Sequence, residues 1–180
     1  MSTFKTFIAG IPSIIACSML LSLTAFAQEK PKLSDPEVAS VAVVANQIDI
    51  AYAEIAKEKA KDKNVLHFAE TMSNDHKAII AQAAALAKKL GVTPKDNAVS
   101  QQLLSNAEKT KTALRSKSGK AFDKAYIDNE VAYHKAVIAA VETLLIPETE
   151  NAELKQLLQN VVPALKAHLA HAEMVQKEFK

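Results

Sequence analysis

Apolar side chains that return at alternating spacings of four and three residues constrain this chain more than any other feature. Val65, Ala69, Met72, His76, Ile79, Ala83, Leu86 and Leu90 fall on one stripe of an α-helix. The same period recurs in Val41, Ala45, Ile48, Tyr52 and Ile55, in Ile127, Val131, His134, Ile138, Val141 and Leu145, and from Leu154 through Leu158, Val161, Leu165, His168, Ala172 and Val175 to Phe179. A half-buried strand needs a period of two, and no segment of useful length has it. The chain is therefore expected to be all-α.

Local signals divide that pattern into elements. Ser34 with Glu37 forms an S-x-x-E capping box, Asp35 before Pro36 is an alternative cap, and a helix A is expected over about 36 to 61. The Lys61-Asp62-Lys63-Asn64 cluster turns the chain into helix B, about 63 to 90, where Gly91 supplies a C-terminal cap with Pro94 beyond it. A shorter, more polar connecting helix follows over about 98 to 117, with Leu103, Leu104, Ala107 and Leu114 as its apolar contacts. Ser118-Gly119 breaks the chain before helix C, about 120 to 146, which Pro147 is expected to end. Helix D runs over about 150 to 178 with Pro163 inside it, where a lost backbone donor predicts a kink just before His168 and two packed pieces. Four long amphipathic helices with a helical crossover between the second and third predict a ferritin-like four-helix bundle over residues 35–180, with an up-down bundle of five helices as the alternative.

Residues 1–27 read as a secretory signal peptide. Lys5 supplies the positive region, an apolar stretch runs from about Phe7 to Leu23, and Ala25-Phe26-Ala27 has small residues at the −3 and −1 positions, which predicts cleavage after Ala27. A retained anchor and a lipoprotein lipidated at Cys17 are the competing readings. Residues 28–34 read as a flexible leader to the domain. A mature chain without cysteine fits the periplasm, where a free thiol would be oxidised, and it must be stabilised by its apolar core. Neither a long apolar span nor the alternating strands of a membrane barrel is expected after the leader. The 22 basic and 20 acidic side chains leave a net charge of only +2, too little to favour nucleic acid as a partner. An envelope protein or a second copy of the chain stays open as partner.

Three seams are interrupted by a histidine: His76 in B, His134 in C and His168 in D, while Asp49 borders the seam of A beside Ile48 and Tyr52. Burying an unpaired imidazole or carboxylate costs several kcal/mol, so such residues imply partners. Asp49, His76 and His134 lie near the middle of their helices, and His168 is displaced by about one turn. Three imidazoles and a carboxylate at one level suit zinc, copper or iron. The expected ligands are His76, His134, His168 and Asp49, with Asp75, Glu130 and His171 in supporting or alternative positions. The competing reading is a buried hydrogen-bond network joining these histidines to Asp49, Tyr52 or Tyr133, in a protein with a structural or interaction role. His67 falls off the seam and is expected in solvent.

Signatures of catalysis are missing. Carboxylate di-iron centres take Glu-x-x-His from two helices, and Glu130 with His134 has one residue too many. No phosphate-binding loop or nucleophile motif occurs. Phe122-Asp123-x-x-Tyr126 at the start of helix C is expected to pack and cap that helix.

Taken together, Asp49, Met72-x-x-Asp75-His76, Gly119-x-x-Phe122-Asp123-x-x-Tyr126 with Val131 and His134, and Pro163-x-x-x-x-His168-Leu169 resemble a family of secreted bacterial proteins, domain of unknown function 4142. The resemblance spans about Asp35 to Phe179 and implies export and a ferritin-like bundle, with no established activity. Where its members usually place a Glu in helix A, this chain has Asp49.

Overall fold

The computed structural model describes residues 31–179, and the expected signal peptide, with Cys17 and the Ala27 cleavage site, lies outside them. The described chain is helical with no strand. Helix α1 spans Asp35–Lys59, α2 Lys63–Leu90, α3 Ala98–Arg115 and α4 Gly119–Ala140. Helix α4 runs on through a π-helical turn, Val141–Leu145, and a last turn, Ile146–Glu148, before α5 at Ala152–Gln176. Helices α1 and α2 pack as one extensive pair and α4 and α5 as another; α3 lies against α1, and α2 meets α5.

The helix ends follow from side chains that satisfy free backbone N–H groups. Glu37 accepts from the backbone and hydroxyl of Ser34 (3.0 and 2.7 Å). Asp62, Asn97 and Asn151 accept from the first turns of α2, α3 and α5. Gly91 adopts φ +64° as the C-terminal cap of α2, a left-handed conformation that favours glycine. Asp123 does something other than cap α4. Its buried carboxylate reaches across to the α1–α2 turn and accepts from the backbone of Lys61 (3.0 Å) and Asp62 (3.2 Å). At the opposite end, Asp35 accepts from Glu150 (2.9 Å) and Asn151 (3.0 Å).

Several expectations change. Helix α5 is one continuous helix across Pro163, not two pieces. The proline is exposed, as is Gln159 four residues earlier, so the carbonyl that loses its donor lies on the solvent side. Helix α4 continues past Pro147 to Glu148, because the wide π turn shifts the hydrogen-bond ladder just before the ring. Leu33, expected in a flexible leader, is buried, and its N–H donates to Glu148 Oε2 at 3.3 Å. Of the four apolar contacts expected of α3, Leu104 is 41% exposed, whereas Ala107 and Leu114 are buried and Leu103 packs partly buried against the core. By length and composition α1 could cross a membrane, contrary to the expectation that no such span follows the leader. Half of its most apolar window is buried against the other helices, as befits a core helix.

The core is unequally filled along the bundle axis. One half holds a dense cluster with Tyr52, Phe68, Met72, Phe122, Tyr126 and Ile127. Phe122 and Tyr126 are stacked at 6.2 Å, and Phe68 meets Tyr126 edge-on. The other half is built on Val38, Val41, Ile138, Leu145, Leu158 and Leu165, also buried. The α2 seam is buried through His76, but Ile79, Ala83, Leu86 and Leu90 are only half-buried. They face a cavity of about 670 Å³.

Candidate metal centre

Asp49, His76, His134 and His168 converge at the boundary between the two halves, each fully or nearly buried. The ring centroids of His76, His134 and His168 lie 5.2 to 5.8 Å apart. One ring nitrogen from each lies within 4.8 Å of the others. His168 still lies about one turn past the middle of α5, yet its imidazole joins the other two, so the offset lies in the placement of the helix and not in the site.

Each imidazole has one nitrogen held from behind. His76 Nδ1–H donates to Asn46 Oδ1 at 2.7 Å, and Asn46 is itself oriented by donating to Ala42 O at 2.8 Å. His134 Nδ1–H donates to the Glu130 carbonyl at 3.0 Å, and His168 Nε2–H donates to Asp75 Oδ2 at 3.0 Å. All three partners are acceptors, so the ring nitrogens facing them carry the protons. The opposite nitrogens, His76 Nε2, His134 Nε2 and His168 Nδ1, are buried lone-pair donors with no hydrogen-bond partner. Two of them address one carboxylate oxygen: Asp49 Oδ2 is 3.3 Å from His76 Nε2 and 3.5 Å from His134 Nε2, without hydrogen-bond geometry.

Glu130 is closer to the centre than a supporting role requires. Its side chain is fully buried, neither carboxylate oxygen has a hydrogen-bond partner, and Oε2 lies 3.6 Å from His134 Nδ1. Asp49, Glu130 and His134 form a second group whose donor atoms lie within 4.8 Å of one another. Asp75 keeps the supporting place, half exposed behind His168. His171 is not brought into the cluster. It packs edge-on against Phe68 at 5.1 Å and lies 6.2 Å from His67, which is exposed as expected.

Burial governs the electrostatics. It pushes Asp49 up to about 8, and it holds Glu130 well above the usual carboxylate range, with the Asp49 charge adding to the effect. The same burial, with His168 and His134 nearby, lowers His76 to about 3. His134 falls to about 4, against the opposing effect of the Glu130 carbonyl. Both imidazoles are thus neutral at pH 7, the form that donates a lone pair to a metal.

The tyrosines do not serve the histidines as a hydrogen-bond network would need. Tyr133 O–H donates to Ala45 O at 2.8 Å, and its ring meets Tyr52 edge-on. Asn46 is the residue that sequence reasoning missed; it is half-buried, and its signal is an amide three residues before Asp49 on the same helix face.

These observations define an all-helical protein whose long helices enclose a buried His/carboxylate cluster. The chain belongs to the family described as domain of unknown function (DUF4142), which it matches over residues 21–175. No curated protein and no solved structure matches it.

Proposed function

We propose that this is an exported periplasmic protein with a ferritin-like four-helix bundle, formed by α1, α2, α4 and α5 with α3 as the crossover. It binds a transition metal, zinc, copper or iron, at Asp49, His76, His134 and His168, in the service of metal handling or envelope stress. The observation that carries this reading is the polarity of the imidazoles: each gives its proton to an acceptor behind it and leaves its other nitrogen buried and unpartnered. That is the arrangement in which a protein orients histidine ligands. Around a tetrahedral ion bonded at about 2.0–2.1 Å, donor atoms stand roughly 3.3–3.4 Å apart. The Asp49 contacts of 3.3 and 3.5 Å are already close to that spacing. A positive ion would also offset the burial of two adjacent carboxylates.

The competing structural reading draws on the same Asp49 contacts, but a hydrogen-bonded core leaves both oxygens of Asp49 and of Glu130 unpartnered. Elemental analysis of untagged protein beside the triple variant His76→Ala, His134→Ala, His168→Ala decides between them. Metal in stoichiometric amount in the parent, absent from a variant that keeps its helicity, supports the centre. No metal in either, after incubation with zinc, copper and iron salts, overturns it.

A further inference from the structure

The cavity above the cluster has a chemistry of its own. Its volume of about 670 Å³ falls inside the range of roughly 300–1,000 Å³ typical of small-molecule sites. The walls are aliphatic, with Ile79, Ala83 and Leu86 of α2 facing Val137 of α4 and Leu158 and Val161 of α5. Among the described lining residues the aromatic rings are those of Tyr52, Tyr133, His76 and His134, all at the level of the cluster. Apolar residues at helical core spacing are normally covered; here Ile79, Ala83, Leu86 and Leu90 are left half-buried around open space.

The polar lining residues differ between the two ends: Asp35 and Asn151 at the far end are hydrogen-bonded to each other, whereas those of the cluster leave atoms unpartnered. Asp49, His76 and His134 line the cavity, and Asp49 Oδ1 and Oδ2, His76 Nε2 and His134 Nε2 are buried without hydrogen-bond partners. No Lys or Arg is among the described lining residues, so nothing there balances an anionic group. An aliphatic wall with an unsatisfied polar floor and no cation selects a molecule of matching form.

We propose that this cavity is a binding site for a small aliphatic molecule with a single uncharged oxygen head, a hydroxyl or carbonyl, which lies against Asp49, His76 and His134 while its hydrocarbon body fills the space between α2, α4 and α5. The inference concerns the metal-free cavity, because a metal held by Asp49, His76 and His134 would take the same atoms, so it is tested on chelator-treated protein.

The probe is N-phenyl-1-naphthylamine, uncharged and fluorescent in apolar surroundings, displaced by decan-1-ol or by decanoate at pH 7.5. Saturable fluorescence that decan-1-ol abolishes, with decanoate at least tenfold weaker, is expected. The double variant Leu86→Gln, Val137→Gln changes two half-buried wall positions and should weaken probe binding at least tenfold. Leu104→Gln, Met174→Gln alters exposed apolar residues that do not line the cavity and should leave it unchanged. Ala83→Phe, which fills space without adding polarity, should likewise exclude the probe and keeps the test decisive if the glutamine variant loses helicity. The proposal is overturned if the parent does not take up the probe, if decanoate competes as well as decan-1-ol, or if control and wall variants behave alike. It is also overturned if the parent sediments as a dimer that excludes the probe and that wall substitution turns into monomers, which would make this face a contact between copies of the chain.

Discussion

Asp49 Oδ2 stands between two unpartnered imidazole nitrogens, 3.3 Å from His76 Nε2 and 3.5 Å from His134 Nε2. A carboxylate on α1 thereby meets histidines from α2 and α4 at the plane where the filled half of the core gives way to the cavity.

Replacing Asn46 by Leu removes the acceptor behind His76 and frees that ring to rotate or change tautomer. Metal affinity should drop roughly 10–100-fold, the usual effect of losing an orienting partner. Competition with a chromophoric chelator measures it, and circular dichroism should show unchanged helix content.

The metal-free protein should become less stable as pH rises from 6.5 to 8. Asp49 titrates near 3.8 when unfolded and near 8 when folded, so between those values the folded state holds an extra proton and stability falls with rising pH. His76 and His134 act oppositely: unfolded they titrate near 6.5, but folded only near 3 and 4, so stability rises with pH up to 6.5. At pH 6.5 the unfolded histidines are half protonated and their opposing effect fades within about one further pH unit, leaving the carboxylates to set the direction. Urea unfolding at pH 6.5, 7.2 and 8.0 should show the decline, and Asp49→Asn should reduce it, leaving the part due to Glu130.

Zinc binding near pH 7 should release protons, because Asp49 must surrender the one it holds when buried without a cation. Calorimetry in two buffers of different ionisation enthalpy counts them. Asp49→Asn should release fewer.

Asp123→Ala deletes a buried carboxylate that holds the α1–α2 turn through two backbone N–H groups. Hydrogen bonds to a charged group contribute about 1.5–3 kcal/mol each, and the turn can regain some of this from water, so a loss of about 2–4 kcal/mol is expected in urea unfolding. Metal content should not change.

Pro163→Ala restores a donor to the middle of α5 at an exposed site. Proline costs about 3 kcal/mol in a helix interior, partly offset by its restriction of the unfolded chain. A gain of about 1–2 kcal/mol is expected in the same assay, with metal stoichiometry unaltered because the helix is already continuous.

Period and punctuation determined the elements. The four-three spacing, the Ser34/Glu37 pair and Gly91 mark where helices run, start and stop, since these depend on neighbours within a turn or two. The histidines were legible for the same reason: a polar side chain in an apolar seam shows in one dimension, and equal depth along each helix placed Asp49, His76 and His134 together. Packing decided the rest. Asp123 and Asp35 clasp turns that are remote in sequence, Glu130 enters the cluster while His171 turns toward Phe68, and the seam of α2 opens onto a cavity after His76. A helix's own periodicity states which face is apolar, but whether that face is covered, and by what, depends on how far neighbouring helices approach.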